Sequence, residues 1–211
     1  MGRYTGPKEK LERRLGQKLF LKGERSYSPK SATVKKPYPP GMHGKTKMRR
    51  LSEFGAQVAA KQKIRLTYKI LERQFKNYIE QALTSKEKSP DVLIANLEQR
   101  LDNVIFIAGI APARDTARQL VSHGHIIVNN KRVRIPSFRV RVNDTVGIYK
   151  TSQSNKYFIN ILPQVIKKYT PPNWLKLDKD KISAKIVETP SISDSGVDIN
   201  DIQMLIEFYS R

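Results

Sequence analysis

Eight side chains between residues 114 and 132 have the types and spacing to grip a polyanion: Arg114, Arg118, Gln119, His123, His125, Asn129, Lys131 and Arg132. Arg114 and Arg118 are four residues apart, so on a helix they share one face, with Gln119 and Ser122 beside them. Ala113, Ala117, Leu120 and Val121 form the opposite, apolar stripe. Arginine suits this chemistry because its planar guanidinium holds a phosphate through two hydrogen bonds and stacks on unpaired bases, which lysine does not do. A protein core has no use for such a face, which points outward to an anionic partner. Asp102 and Asp115 lie in the same region. They read as carboxylates that pair with neighbouring arginines and orient them, not as catalytic acids. Asp144, after Asn143, reads as a turn residue.

The elements that position this face follow from periodicity. Leu97, Leu101, Val104, Ile105 and Ala108 predict one amphipathic helix, and the stripe from Ala113 to Val121 predicts a second. Pro112 suits the first turn of that second helix, and Gly109 and Gly124 stand where a left-handed residue ends each one. Ile126 and Val128 alternate, Asn129-Asn130 suit a tight turn with positive φ, and Val133 and Ile135 resume the alternation, which predicts a hairpin. Phe138, Val140 and Val142 alternate with Arg139 and Arg141, which predicts a strand with an apolar and a basic side. Two helices stacked on a small twisted sheet bury both stripes, giving an α+β architecture.

On either side the pattern changes. Residues 53–83 are helical in spacing, with Tyr68, Leu71, Phe75, Tyr78, Ile79 and Leu83 on one stripe. At that spacing the aromatics read as core, not as base-stacking platforms. Ser89-Pro90 starts a further helix. Beyond Ile148, residues 154–168 read as a helix, 174–177 and 182–187 as strands, 190–200 as a polar connector and 202–208 as a short packed helix.

The 211 residues carry a net charge of +21, and +12 of it falls in the first fifty. Those fifty are rich in Gly and Pro and poor in apolar residues, which predicts a basic, irregular extension. Its candidate contact residues are Arg3, Tyr4, Lys10, Arg13, Arg14, Lys22, Arg25, Lys35, Lys36, His43, Lys45, Lys47, Arg49 and Arg50, joined further along by Arg100. An excess this large persists where a polyanion neutralises it. Anionic lipid fits poorly, because the basic segment lacks an amphipathic helix with bulky apolar anchors. No apolar run is long enough to span a membrane, and no apolar segment follows the N-terminal charges as in a secretory signal. The chain has no cysteine, which excludes disulfides and thiol catalysis. His123 and His125 form a His-x-His pair without the companions a metal site needs. No phosphate-cradling glycine loop or nucleophile triad stands out, so nothing here argues for an enzyme, a cofactor or a small-molecule substrate. The expected location is the cytoplasm.

The stretch from Leu97 to Ile148 closely resembles the S-four RNA-binding domain. The opening M-G-R-Y-T-G-P, the loop K-P-Y-P-P-G-M-H-G at 36–44, L-V-S-H-G-H at 120–125 and the terminal I-E-F-Y-S-R at 206–211 are similar to bacterial-type small-subunit ribosomal proteins of the S-four family. The resemblance covers nearly the whole chain. It implies a structural protein that binds the 5′ domain of 16S rRNA at a multi-helix junction early in assembly and nucleates the 30S body. Neighbouring small-subunit proteins and messenger RNA near the path by which it enters are the further partners implied, with a link to decoding accuracy. It also implies that the segment 188–211 returns to complete a helical domain at 51–96, so that the RNA-binding domain at 97–187 is an insertion. The basic extension at 1–50 would then order on RNA. In an organelle-encoded protein the location would be stroma or matrix.

Many relatives bind zinc through four N-terminal cysteines, and the matching positions here are Glu9, Glu12, Ser26 and Ser31. Serine does not replace thiolate, and glutamate favours harder ions, so the resemblance implies a zinc-free version. Two further departures are Ile107, where relatives usually carry a basic residue, and Asn130, where glycine is common. An RNA-modifying enzyme such as a pseudouridine synthase would use the same domain as an anchor, but it needs a catalytic domain for which little chain is left. A repressor that binds its own messenger is compatible with the ribosomal reading.

Overall fold

Ser52 accepts a hydrogen bond from the Gly55 N–H (3.2 Å) and so starts the first long helix of the chain. The computed structural model describes residues 4–46, 50–85 and 87–210. It forms two units, Met1–Pro90 with Val197–Arg211 and Asp91–Gly196.

In the first unit, helices α1 (Lys8–Leu15), α2 (Glu24–Tyr27) and α3 (Ala32–Lys35) precede a 3₁₀ turn at Met42–Lys45. Residues 1–50 are therefore not irregular throughout, as their composition predicts. α2 and α3 are single turns, too short to leave a periodic stripe, and side chains such as Glu12 and Arg13 lock the segment in order. Helices α4 (Glu53–Thr67) and α5 (Glu72–Leu83) then follow. The single run expected over 53–83 breaks at Lys69, which is left-handed (φ 54°). The Ile70 N–H turns back to the Arg65 carbonyl (3.2 Å) and closes the end of α4. Ala60, Ile64 and Tyr68 face inward with Phe75, Ile79 and Ala82, and Ile202 and Leu205 of the C-terminal helix (Ile199–Ser210) join this core. Tyr68 and Phe75 are thus buried, as their spacing requires, whereas Leu71 is 40% exposed at the helix start.

The C-terminal helix lies along α4. Lys63 pairs with Asp201, and Glu72 takes Lys61 (2.8 Å), Arg65 (3.4 Å) and the Tyr209 hydroxyl (3.1 Å). Partial burial pushes the Glu72 carboxyl up, but the hydrogen bonds from Lys61 and Tyr209, with the charges of Lys61 and Arg65, outweigh it and hold the group below its ordinary value. Burial, and then the Glu72 charge, push the Tyr209 phenol well up.

The second unit contains α6 (Ser89–Glu98, from Asp91 onward), α7 (Leu101–Ile107) and α8 (Arg114–Ser122). Among the described residues one sheet of five antiparallel strands occurs, in the order β2-β1-β3-β5-β4. These strands are β1 (Ile126–Val128), β2 (Lys131–Arg132), β3 (Thr145–Ile148), β4 (Leu175–Asp178) and β5 (Ser183–Ile186). Leu101, Val104 and Ile105 of α7, its cap Ala108, and Ala117 and Val121 of α8 pack with Ile126, Val146, Ile148, Ala184 and Ile186 of the sheet. Phe158 of a π-helical turn (Tyr157–Ile161), Leu162 and Ile166 of α9 (Leu162–Lys168), and Trp174 complete the core. Asn129 and Asn130 have φ of 48° and 65°, the positive pair that the β1–β2 turn needs.

Three expectations need correction. The apolar stripe from Leu97 to Ala108 is not one helix, because Arg100 is extended (φ −67°, ψ 136°) and α7 restarts after it. The cause is non-local: the Leu101 N–H bonds the Phe138 carbonyl and the Val140 N–H bonds the Gln99 carbonyl, both at 2.9 Å. For the same reason residues 138–142 form only an isolated bridge, Arg100 with Arg139, and not a strand. Pro136, lacking an N–H, and left-handed Asn143 (φ 72°) bracket that stretch, and Ile135 lies 60% exposed beyond the two-residue β2. Pro112 precedes α8, which begins at Arg114 with Ala113 as its cap.

The end of α7 is sealed by two tyrosines. The Tyr157 hydroxyl donates to the Ile110 carbonyl (2.7 Å) and the Tyr169 hydroxyl to the Ile107 carbonyl (2.6 Å). The Tyr169 ring lies over Gly109, which is left-handed (φ 74°), and a Cβ there would sit 2.8 Å from the ring. Gly109→Ala is therefore expected to lower the unfolding free energy by about 1–3 kcal/mol, combining backbone strain with a ring clash. Urea unfolding checks this, and an unchanged midpoint would contradict it.

Candidate nucleic-acid interface

With Ala117 and Val121 of α8 fully buried, the other side of that helix faces outward. Arg114 is anchored on the protein before any ligand arrives. Its Nε donates to Asn103 Oδ1 (2.8 Å), and its guanidinium sits 4.5 Å from the Phe106 ring centroid. Asn103 is itself held, donating to the Glu98 carboxylate (2.6 Å) and carbonyl (3.1 Å). Arg118 reaches Asp102 at 3.5 Å. Asp102 is buried and also accepts from Arg100 Nη2 (2.7 Å, on the same oxygen) and Nε (3.1 Å). Asp102 thus orients arginines, as its position suggests. Arg100 needs correction as a contact residue: at 1% exposure it lies inside the fold and serves Asp102.

The hairpin presents the next cations. Arg132 Nε donates to the Gly124 carbonyl (2.6 Å), and its guanidinium lies 4.7 Å from the Tyr149 centroid. Gly124 is left-handed (φ 72°), and a Cβ there would meet Arg132 Nε at 2.6 Å and Arg134 Nε at 2.9 Å, so two guanidinium groups close over it. Arg134 belongs to this patch although its sequence context did not single it out. The signal was the two-residue spacing from Arg132, which puts both on one side of an extended chain. Gln119, His123 and Lys131 are exposed. Asn129 acts as a turn lock: its Nδ2 donates to Asp144 (2.7 Å) and its Oδ1 accepts the Thr145 N–H (2.9 Å), so both ends of its amide are already engaged. Asp144 also accepts the Arg141 N–H (2.7 Å), as a turn residue should.

His125 is half-buried, with Nδ1 2.9 Å from the Ser152 hydroxyl and its ring 6.0 Å from that of His123. Burial, followed by the charges of His123 and Arg132, holds its imidazole below the ordinary value of 6.5.

In the first unit Lys10, Arg14, Lys22, Lys35, Lys36, His43, Lys45 and Arg50 are exposed, and so is Tyr4. Arg13 is half-buried and clamps the loop after α3: its Nε donates to the Lys36 and Tyr38 carbonyls (3.0 Å each) and its Nη2 to the Pro39 carbonyl (3.3 Å). The same guanidinium lies 5.0 Å from the Tyr38 centroid. Arg25 pairs with Glu9 (3.2 Å). Arg3, Lys47 and Arg49 lie outside the described residues.

The four positions that correspond to zinc ligands in relatives do not fit zinc. Glu9 is taken by Arg25. Glu12 is 1% exposed, and its Oε1 accepts the N–H groups of Leu19 (3.2 Å) and Leu21 (3.0 Å). Ser26 Oγ accepts the Lys22 N–H (3.2 Å), and Ser31 Oγ lies 2.9 Å from Thr33 Oγ1. Glu12 Oε2 is buried without a hydrogen-bond partner among the described residues, but one carboxylate oxygen beside two neutral hydroxyls is not a zinc donor set. No cluster of three His, Cys, Asp or Glu among the described residues could hold a metal.

Two measurements follow. Because the folded pKa of His125 lies below the unfolded one, stability from this group is fully present above about pH 6.5 and declines as pH falls through the lowered folded value. The unfolding free energy is expected to drop with pH in that window, and His125→Asn to flatten the drop; an identical slope in the variant would contradict it. Elemental analysis of the purified chain is expected to find no stoichiometric zinc, and one zinc per chain would overturn the donor argument.

The sequence was also compared with known proteins. The profile of the ribosomal protein S4/S9 N-terminal domain matches residues 3–102, and that of the S4 domain matches residues 99–146. Small ribosomal subunit protein uS4 of Thermus thermophilus is 44% identical over 211 residues, which is all of both chains. The proteins of the same name from Desulfitobacterium hafniense and Kosmotoga olearia are 43% and 42% identical, again over the full length of each. No helix among the described residues is long and apolar enough to cross a membrane. With its two domains matched in order and its whole length aligned, the chain belongs to the uS4 family of small ribosomal subunit proteins.

Proposed function

We propose that the chain is a primary rRNA-binding protein that holds the 5′ domain of 16S rRNA at a helix junction and nucleates the 30S body. As a uS4 protein it is a structural, non-enzymatic constituent of the small subunit with an RNA-binding S4 domain. The observation that carries the finer reading is the preset cationic face. Arg114, Arg118 and Arg132 each have a protein anchor, so their orientation is fixed before RNA arrives. Such a face suits shape recognition of folded RNA, while counterion release supplies affinity. Gln119, His123, His125 and Lys131 extend it, and the exposed lysines and arginines of the first fifty residues add a second basic surface. In this reading residues 97–187 are an RNA-binding insertion into a helical domain completed by the C-terminal segment. Neighbouring small-subunit proteins and incoming messenger RNA are the further partners, and through them the protein contributes to translational accuracy.

Filter binding to a 16S 5′-domain transcript across a salt series, against an unrelated structured RNA of equal length, tests the reading. Selective binding that survives moderate salt is expected. In the double variant Arg114→Ala/Arg118→Ala, affinity is expected to fall and the slope of log affinity against log salt to flatten by about 1–2, because two phosphate partners are lost. Equal binding of both RNAs, or an unchanged slope, would sink the assignment.

A further inference from the structure

We propose that Phe20 and Tyr27 form a stacking platform for one unpaired base of the RNA gripped by the basic N-terminal segment, an inference that rests on the rRNA-binding reading above. The two rings are stacked, with centroids 4.9 Å apart and planes 25° from parallel. They are also outside the core: Phe20 is 41% and Tyr27 75% exposed. Two large aromatics left in water call for a partner that covers them.

The backbone is shaped to keep them there. Phe20 is left-handed (φ 53°), a conformation that a bulky side chain adopts only where its surroundings impose it. The imposing group is Glu12. Its buried Oε1 gathers the N–H groups of Leu19 and Leu21, the residues on either side of Phe20. Leu19 and Leu21 turn inward, at 8% and 4% exposure, and Phe20 is thereby turned outward. Lys69 Nζ donates to the Leu21 carbonyl (3.1 Å), and Ser26 accepts the Lys22 N–H, which pins the loop on to α2. Tyr27 ends α2 and lays its ring on Phe20. Glu12 is accordingly a positioning residue for the platform.

Charge selects the occupant. Lys18, Lys22 and Lys30 lie within three residues of one ring or the other and are exposed, Arg25 in the same span is paired with Glu9, and Glu24 is the one acid among residues 18–30. A base stacked on the rings would carry its flanking phosphates into this field. Nucleic-acid sites that read unpaired bases combine an aromatic face with cations along the backbone in this way. An apolar protein partner would gain nothing from the exposed lysines that flank the rings in sequence.

The test uses the full chain and the 16S 5′-domain transcript. Tyr27→Ala is expected to weaken binding about tenfold at an unchanged salt slope, since a stack is lost and no charge is removed. Tyr27→Trp is expected to restore affinity. Phe20→Gly separates binding from folding: glycine accepts the left-handed backbone without strain, so stability is expected to hold while affinity falls. Wild-type affinity in both Tyr27→Ala and Phe20→Gly would overturn the platform and leave the rRNA reading intact. A Tyr27→Ala chain that binds RNA normally but loses a neighbouring ribosomal protein would mark a protein occupant and also overturn it. Failure of the wild-type chain to select the transcript would overturn the rRNA reading itself.

Discussion

A single buried carboxylate, Asp102, joins Arg100 inside the fold to Arg118 of α8, and the orientation of Arg118 on the proposed RNA face depends on it. The constraint behind this arrangement is set by composition. Forty basic side chains share the chain with nineteen acidic ones, so few carboxylates are available to hold the cations in place. Several of those few are drawn inside. Asp102, Glu98 and Glu12 are at most 5% exposed, and each bonds a group that positions a surface element. A buried carboxylate is costly to desolvate unless it is fully engaged, and the two guanidinium groups around Asp102 meet that condition.

Arg25 is held by Glu9, but several other anchors use no negative charge. Arg13 bonds three backbone carbonyls and Arg132 bonds the Gly124 carbonyl, while Phe106, Tyr38 and Tyr149 lie beneath guanidinium groups. Carbonyls and ring faces orient a cation without cancelling it. The surface therefore keeps its positive potential while its side chains lose part of their freedom, which lowers the entropy cost of gripping phosphate. Repulsion among exposed cations is screened over about 8 Å at physiological salt, so the free chain tolerates the excess until RNA neutralises it.

The legible part of this architecture is whatever short-range pattern determines. The stripes on α7 and α8, the left-handed Gly109 and Gly124 and the Asn129–Asn130 turn all follow from spacing and from which residues accept positive φ. The arginine face of α8 is legible for the same reason. The break at Arg100 is not, because it is imposed by main-chain bonds to Phe138 and Val140, some forty residues away. Burial of Arg100 follows from that break and reverses its expected role. The roles of Arg13 and Asn129 were equally hidden, since a basic or amide side chain looks the same in sequence whether it meets solvent, phosphate or a loop carbonyl. Phe20 and Tyr27 were missed because they stand in different elements, a loop and the last position of the one-turn helix α2, and nothing in their spacing shows that Glu12 turns one towards the other.

Under the proposed function, orientation, and not charge alone, makes the arginine face bind RNA. Binding of an Asp102→Asn chain to the 16S 5′-domain transcript, under conditions where circular dichroism shows it folded, tests this most directly. The substitution raises net charge by one, so if charge alone governed affinity the variant would bind more tightly. If orientation governs it, the variant binds more weakly, because Arg118 loses the carboxylate that directs it. Weaker binding is the predicted result, and equal or tighter binding by the folded variant would contradict it.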